Sequence, residues 1–179
     1  TDAGGYSYVN ILAEHDIEKV CVGTIIGSEN GVGCGDPEVT IQAFNDIKQF
    51  CAERIIAGED GVVNILAGVD LDGNVSGEVN ENGEFEAGDI ECMVVGAISG
   101  DGGAVNIAAG GDIERLKVCR IISGDGEVNV TAGEDIDVAV HRVRSWRLTD
   151  DSGEVVDTGV SFSAGGEVHD RRGRIRDEY

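Results

Sequence analysis

The stretch VNIAAGGDI at residues 105–113 returns almost unchanged as VNVTAGEDI at residues 128–136. Five more phrases share its alternation of apolar and polar residues, followed by alanine and an acidic residue. They begin at Val9, Val39, Val63, Gly83 and Val160. Seven phrases spaced roughly 20 to 32 residues apart are typical of a repeat architecture, in which each unit stacks on the next.

Aligning the seven phrases places residues of one kind in fixed columns. Alanine fills one column, at positions 13, 43, 67, 87, 109, 132 and 164. An acid followed by an apolar residue fills another, at Asp16, Asp46, Asp70, Asp89, Asp112, Asp135 and Glu167. In a stack of coils about 4.8 Å apart, such columns become ladders that run along the stack.

Each phrase has the period of a strand with one buried face, because apolar and polar residues alternate in V-N-I-x-A. A second apolar stretch follows, such as RIIAG from Arg54, and acidic glycine-rich turns close the unit. The 28 glycines and the lack of a 3.6-residue period argue against a helix bundle. An antiparallel sandwich would not return the same alanine and aspartate in phase. The sequence therefore predicts an all-β fold, a parallel β-solenoid (β-helix) of about seven coils.

The uneven spacing of the phrases predicts two lateral insertions. We expect an N-terminal extension (1–8), a solenoid (9–169) with insertions near 28–38 and 145–157, and a charged C-terminal tail (170–179). The second insertion is predicted to be a projecting hairpin that carries Trp146. Because the chain begins with threonine rather than methionine, we expect it to be a processed or excised segment.

The composition is strongly acidic, with 35 acidic against 13 basic residues and a net charge of -22. This charge argues against binding to nucleic acid or to an anionic membrane surface. No apolar run approaches the roughly 18 to 20 residues of a membrane span, so no membrane insertion is expected. The tail is basic by contrast, and its arginines are predicted to contact the acidic coils of a neighbouring subunit. They are Arg171, Arg172, Arg174 and Arg176.

The phrases AGGDI (109–113) and AGEDI (132–136) resemble the haemagglutinin-type repeats of filamentous haemagglutinins and related secreted bacterial adhesins. The resemblance implies a right-handed parallel β-helix in the extracellular space or at the cell surface. It also implies an adhesive role, with cell-surface glycans or a host receptor as partners. This chain differs from that family in its longer and uneven coils, its acidity and its five cysteines.

The acidic column has two interpretations. Each aspartate could accept backbone N–H hydrogen bonds at a turn. Stacked carboxylates also repel one another, so Ca²⁺ could bridge them at Asp70, Asp89, Asp112 and Asp135. The calcium-roll repeat GGxGxDxUx is absent, and no other cofactor is expected.

A second polar column lies on the strand face opposite the buried residues, at Asn10, Thr40, Asn64, Asn106 and Asn129. We expect a solvated or side-chain-bonded ladder there. Asn74 and Asn129 also begin N-x-S/T sequences and are candidate glycosylation sites. On the same face, Leu12 and Leu66 are expected to point outward.

The five cysteines show no C-x-x-C pair and no histidine cluster, so a zinc site is not expected. Cys21 and Cys51 occupy the same place relative to Ile17 and Ile47 and could be stacked neighbours. Buried free thiols are nevertheless the default interpretation. An odd number leaves one cysteine unpaired, and Cys34 in the first insertion is the candidate for a bond to another chain.

An enzyme is the least favoured interpretation. Lyases of polysaccharides with a β-helical fold combine an acidic, often calcium-bound face with a basic proton acceptor, for which Lys117, Arg120 and Arg54 are candidates. No aromatic platform for sugars accompanies them, and nucleotide-binding loops and nucleophile elbows are absent. We therefore predict that the protein is not an enzyme.

The ends of the predicted solenoid carry nothing that resembles a cap, and open strand edges template further strands. The sequence therefore predicts a non-catalytic extracellular structural protein that polymerises with itself into a surface fibre, with Trp146, the tail arginines and Cys34 at the contacts. The alternatives are a repeat module of a secreted adhesin and, second, a polysaccharide lyase-like enzyme.

Overall fold

The computed structural model describes residues 8–27, 38–58, 61–70, 74–79, 85–100, 102–123, 126–144, 146–149 and 155–171. All regular elements in these ranges are β-strands. None of the described residues belongs to a helix that could cross a membrane.

The strands in chain order are β1 (Tyr8–Ala13), β2 (Val20–Ile26), β3 (Glu38–Ala43), β4 (Phe50–Ile56), β5 (Val62–Ala67), β6 (Gly77–Val79), β7 (Phe85–Ala87), β8 (Met93–Ser99), β9 (Ala104–Ala109), β10 (Ile113–Ile122), β11 (Glu127–Ala132), β12 (Ile136–Val140), β13 (Val143–Arg144), β14 (Trp146–Thr149), β15 (Val155–Thr158), β16 (Val160–Ala164) and β17 (Val168–Asp170).

Two parallel sheets contain most of these strands. The first sheet has the order β1-β3-β5-β9-β11-β16, and the second has the order β2-β4-β8-β10-β12-β17, with β13 beside the end of β10. Each first-sheet strand is followed along the chain by a second-sheet strand, and we call such a pair a pass. The prediction of an all-β fold with parallel strands is confirmed, and the arrangement is consistent with a parallel β-solenoid.

The repeated phrase sets the register of the first sheet. Ala67, Ala109 and Ala132 pair across neighbouring strands, which confirms their predicted stacking. Every second residue of each strand points into the space between the sheets, where Ile65 and Ile107 are fully buried. Burying a side chain of this size stabilises the fold by roughly 1.5 to 3 kcal/mol. The alternation in the sequence thus provides one wall of a continuous core, and Phe50 and Met93 of the second sheet face it.

Each sheet has six strands along its main path, not the seven that seven coils would give, because the third and fourth phrases share one pass. The chain leaves the first sheet after Gly68, and β6 and β7 pair as an antiparallel hairpin. It rejoins at Gly88. Ala67 and Gly68 together with Gly88, Asp89 and Ile90 therefore spell A-G-G-D-I, the same turn as residues 109–113. The prediction that Ala87 belongs to the alanine column is wrong, since this residue pairs with Gly77 in the hairpin.

Two glycines form the neck of this hairpin. Gly68 has a φ of 60°, in the left-handed region that glycine adopts without strain. A Cβ atom on Gly68 would lie 2.2 Å from the backbone nitrogen of Gly88, and one on Gly88 would lie 2.2 Å from the carbonyl oxygen of Asn45. Only glycine fits at both positions, which lets the chain leave and rejoin within one turn.

The predicted insertions are described unevenly. Most of the first, residues 28–37, lies outside the described residues, as do residues 1–7 of the predicted extension and residues 172–179 of the tail. Within the second, β14 and β15 form a two-stranded antiparallel sheet. The side chain of Trp146 and the connection at residues 150–154 are not among the described parts.

Candidate functional site: two polar ladders and the open ends

An aspartate ladder runs along the turns that connect the first sheet to the second. Its members are Asp16, Asp46, Asp89, Asp112 and Asp135. Each Oδ1 atom accepts a hydrogen bond from the backbone N–H of the next acidic residue along the ladder. The nitrogen to oxygen distances are 3.4, 2.9, 2.6 and 2.7 Å between successive aspartates, and 2.7 Å from Glu167 to Asp135. The predicted role of these carboxylates as backbone acceptors is confirmed, and the bonds join neighbouring passes.

Asp70 is not part of this ladder, contrary to the prediction. It lies between Gly68 and the hairpin of β6 and β7. There its carboxylate accepts hydrogen bonds from the backbone nitrogen and the side-chain amide of Asn74, both at 2.8 Å. Of the four predicted calcium ligands, the structure therefore brings together Asp89, Asp112 and Asp135 and separates Asp70. Asn74, a predicted glycosylation site, is exposed at the base of the hairpin.

A groove of about 430 Å³ follows the aspartate ladder, and Glu86 and Glu134 add two more carboxylates to its lining. Burial is the main reason that the pKa of Asp89 is raised to about 6, and the charges of Asp46 and Asp112 act in the same direction, whereas the hydrogen bond from the backbone N–H of Asp112 opposes the rise. Nowhere in the described ranges do three or more His, Cys, Asp or Glu side chains have the arrangement of a metal site. Calcium binding here stays a prediction.

Lys48 neutralises the ladder at its N-terminal end. Its ammonium group lies 2.7 Å from the carboxylates of both Asp16 and Glu18. The hydrogen bond from Lys48 is the main reason that the pKa of Asp16 is lowered. The sequence analysis missed this residue, although its position directly after Ile47 places it in the column of Glu18.

The predicted polar column forms a second ladder, the asparagine ladder, on the outer face of the first sheet. Asn64 donates to Glu38 at 3.0 Å, Asn106 donates to Asn64 at 2.9 Å, and Asn129 donates to Asn106 at 3.2 Å. The hydroxyl of Ser161 continues the series to the Oδ1 atom of Asn129 at 2.6 Å. The prediction of a side-chain-bonded ladder is confirmed for Asn64, Asn106 and Asn129, whereas Thr40 donates to Glu38 and not to its register partner Asn64. The amide nitrogen of Asn129, the atom that a glycan would modify, is engaged in this ladder.

Cys21 and Cys51 form a disulfide bond on the second sheet. They are register partners on β2 and β4, with 4.6 Å between their Cα atoms. The default interpretation of buried free thiols is wrong for this pair, since the two residues face outward. Cys92 and Cys119 are free thiols, half-buried and exposed, and Cys34 lies outside the described residues.

The three basic residues considered for catalysis do not lie on the aspartate ladder. Arg54, Lys117 and Arg120 are exposed on the outer face of the second sheet. None of the three lines the groove along the aspartate ladder. The structure therefore does not bring these residues together with the acids in the way a lyase-like site needs.

Both sheets have open edges at the N-terminal end of the stack. Within the described ranges, no strand pairs with the outer edge of β1 or β2. Val9 is 52% exposed and Ile11 40% exposed, although the equivalent residues of β3, Val39 and Ile41, are 6% and 1% exposed. The apolar core thus reaches the surface at this end.

Two predicted contact residues have partners within the chain. Arg171 forms an ion pair with Asp137 of the same chain, and its contact with a neighbouring subunit stays a prediction. Leu66 was expected to point outward into solvent, but it is only 5% exposed. The segment at Val69, which leads into the hairpin, lies over this face. Leu12 is 66% exposed, in agreement with the prediction. Arg172, Arg174 and Arg176 lie outside the described residues.

Comparison of the chain with protein-family models, with curated proteins and with solved structures found no match. The resemblance to haemagglutinin-type repeats therefore stays a prediction.

Proposed function

We propose that the protein is a non-catalytic extracellular structural module, a β-solenoid that assembles with copies of itself into a surface fibre. In this proposal the solenoid has six coils, and lateral insertions leave it at residues 28–38, 69–87 and 145–157. The observation that carries the proposal is the N-terminal end, where core residues of β1 are exposed beside strand edges that pair with no other described strand. Such edges pair readily with further strands.

The disulfide between Cys21 and Cys51 supports the extracellular part of the proposal. Disulfide bonds form and persist in oxidising compartments and are rare in the cytosol, where thiols are kept reduced. A location outside the cell or at its surface is therefore the one that suits this bond.

The use of the acidic residues supports a structural role. The aspartates of the ladder accept backbone hydrogen bonds between passes, and Lys48, the basic residue beside the ladder, is held in ion pairs with Asp16 and Glu18. A general acid or base must reach its substrate with a proton partner close by. The carboxylates are better placed to hold the stack together than to transfer protons.

The assembly can be tested by closing the open end with charge. Ile11→Lys places an ammonium group on the exposed core of β1, and Thr131→Lys places the same group at an exposed position of β11, which is paired on both edges. We expect the unaltered protein and Thr131→Lys to form polymers, visible by light scattering and electron microscopy. Ile11→Lys should stay monomeric. An unaltered protein that remains monomeric at high concentration would rule out the fibre.

A module of a secreted adhesin is the second candidate function. A groove of about 500 Å³ on the outer face of the first sheet favours it, because the groove is lined by Asn64, Asn106 and Asn129 together with Leu66 and Val75. Amide side chains beside apolar surface suit the hydroxyl groups and carbon faces of a sugar. Binding of the monomeric protein to immobilised glycans, lost in Asn106→Leu, would support this function.

A further inference from the structure

We infer that the two ends of the stack pair head to tail and in register, with β16 of one copy beside β1 of the next copy, and β17 beside β2. The inference rests on the proposed self-assembly. It adds which surfaces meet, in which direction, and which residues become neighbours.

The columns of the first sheet provide the first argument. Within the chain, Val9, Ile11 and Ala13 of β1 begin the same three inward columns that end at Val160, Phe162 and Ala164 of β16. Each internal strand of this sheet is covered on both edges by another copy of the phrase. No other described strand pairs with the far edge of β16, and the strand that best fits that edge is β1 of a second copy.

Exposure of apolar groups at both ends provides the second argument. Val9 and Ile11 are exposed at the N-terminal end, and Val168 is exposed at the other end. The internal residues of the same columns are buried. Pairing the ends would remove these side chains from water, which is the contribution that stabilises each internal pass.

The charges at the ends permit this contact. Lys48 is paired with Asp16 and Glu18 at the N-terminal end, and Arg171 is paired with Asp137 at the other end. The column of isoleucines that runs from Ile17 to Val168 places His169 in the same column as Glu18. Stacking in register would set His169 of one copy beside Glu18 of the next, where the imidazole can donate a hydrogen bond to the carboxylate. It would also set Glu167 beside Asp16 of the next copy, where a backbone N–H can bond to the carboxylate as it does along the rest of the ladder.

The direction follows from symmetry. Contact between two N-terminal ends would be isologous and would stop at a dimer, whereas contact between unlike ends is heterologous and can continue as a filament. Only the unlike contact keeps both sheets parallel, as they are throughout the chain.

The register can be tested with engineered cysteines. Leu12 and Ser163 occupy the first and last places of one outward column, and both are exposed. In the inferred contact their Cα atoms would be about 4.8 Å apart, within the range for a disulfide bond. The native bond between Cys21 and Cys51 joins register partners at 4.6 Å in the same way. The experiment mixes Leu12→Cys with Ser163→Cys chains, each with Cys34, Cys92 and Cys119 changed to serine.

We expect the mixture to form disulfide-linked dimers under mild oxidation, at least tenfold faster than either variant alone. The matched control replaces Leu12→Cys by Asn10→Cys. Residue 10 is on the same face but two positions along β1, so its Cα atom would be about 7 to 8 Å from that of residue 163. This control should cross-link at least tenfold more slowly. Circular dichroism checks that each variant is folded.

The outcomes separate the inference from the function on which it rests. Polymers by light scattering without the Leu12 to Ser163 cross-link would overturn the register inferred here and leave self-assembly intact. Rapid cross-linking of Leu12→Cys alone would overturn the head-to-tail direction. Absence of any assembly in the unaltered protein would overturn both the inference and the proposed function.

Discussion

The aspartate ladder and the asparagine ladder are built from the same repeat, yet they bind neighbouring passes in different ways. In the asparagine ladder Asn106 and Asn129 each donate to the preceding asparagine, and Asn64 donates to Glu38, so the repeated amides add no charge of their own. In the aspartate ladder each carboxylate accepts a backbone N–H, and every pass adds one more negative charge. A repeated polar residue is thus neutral and self-complementary in one place and accumulates charge in the other.

The difference shows that the effect of a repeated residue depends on what it can donate. An amide carries both donor and acceptor groups, and an ionised carboxylate only accepts. Stacking amides therefore adds hydrogen bonds without repulsion. Stacking carboxylates adds charge-assisted bonds to the backbone that are opposed by repulsion between neighbours.

Replacing an amide of the asparagine ladder by a carboxylate should reduce the free energy of unfolding most at Asn64. This side chain is 6% exposed and donates to Glu38, so Asn64→Asp would place a buried carboxylate next to another carboxylate. We expect the free energy of unfolding at pH 7 to fall by about 3 kcal/mol. Urea denaturation measures this change. Thr131→Asp, at an exposed position of the same sheet, should change it by less than about 0.5 kcal/mol. Equal losses in the two variants would show that burial in the asparagine ladder is irrelevant.

Acid should reduce the loss in Asn64→Asp. The introduced carboxyl would have a pKa above its ordinary value, because burial and Glu38 both oppose its charge. Once protonated it can donate a hydrogen bond as the amide does. We expect the difference in the free energy of unfolding between Asn64→Asp and the unaltered protein to become smaller as the pH falls from 7 towards 4.

The reverse exchange in the aspartate ladder should be stabilising. The pKa of Asp89 is about 6 in the folded protein, above its ordinary value of 3.8. Between pH 3.8 and 6 the folded state binds more protons at this site than the unfolded state, so its contribution to stability falls as the pH rises through that window. Asp89→Asn keeps an oxygen that can accept the N–H of Asp112 and removes this loss.

We expect Asp89→Asn to raise the free energy of unfolding at pH 7 by about 1 kcal/mol, since solvent screening leaves less than the pKa shift alone implies. Near pH 3.5, below both pKa values, the carboxyl is mostly protonated in both states, and most of the gain should disappear. Urea denaturation at both pH values provides the measurement. A loss of stability at pH 7 would mean that the charged bond to Asp112 outweighs repulsion in the ladder.

Added salt should change stability least of all. Comparing the melting temperature in two salts distinguishes screening of the carboxylates from binding of a cation. We expect CaCl₂ and NaCl at equal ionic strength to raise the melting temperature by similar amounts of a few degrees, because both ions screen the carboxylates. A larger shift with Ca²⁺, lost in Asp89→Asn, would instead establish a calcium site in the ladder.

The sequence predicts the columns well because each column obeys a local rule. The inward alternation around Ile65 and Ile107 and the spacing of the asparagines repeat without change, so strand direction and register follow from the phrases. The same argument placed Cys21 and Cys51 side by side. It could not decide whether they form a bond, because bond formation depends on side-chain direction and exposure.

The fourth phrase was misinterpreted because a period of two fits a hairpin strand as well as a strand of the stack. A signal against a separate coil was present. Every complete coil has a second apolar stretch such as RIIAG, and residues 72–82 between the third and fourth phrases read DGNVSGEVNEN, with none. The raised pKa of Asp89 and the role of Lys48 depend on burial and on distances between atoms, which cannot be derived from an alignment of the phrases.

The neck at Gly68 and Gly88 makes this turn a position where the inserted segment can be replaced by another. The backbones of the two glycines nearly touch, so both ends of the segment 69–87 leave the stack at one point. A segment of different length or chemistry could be grafted there without altering the spacing of the passes, provided that it still shields Leu66. The stack can thus keep a constant frame while its displayed surface diversifies.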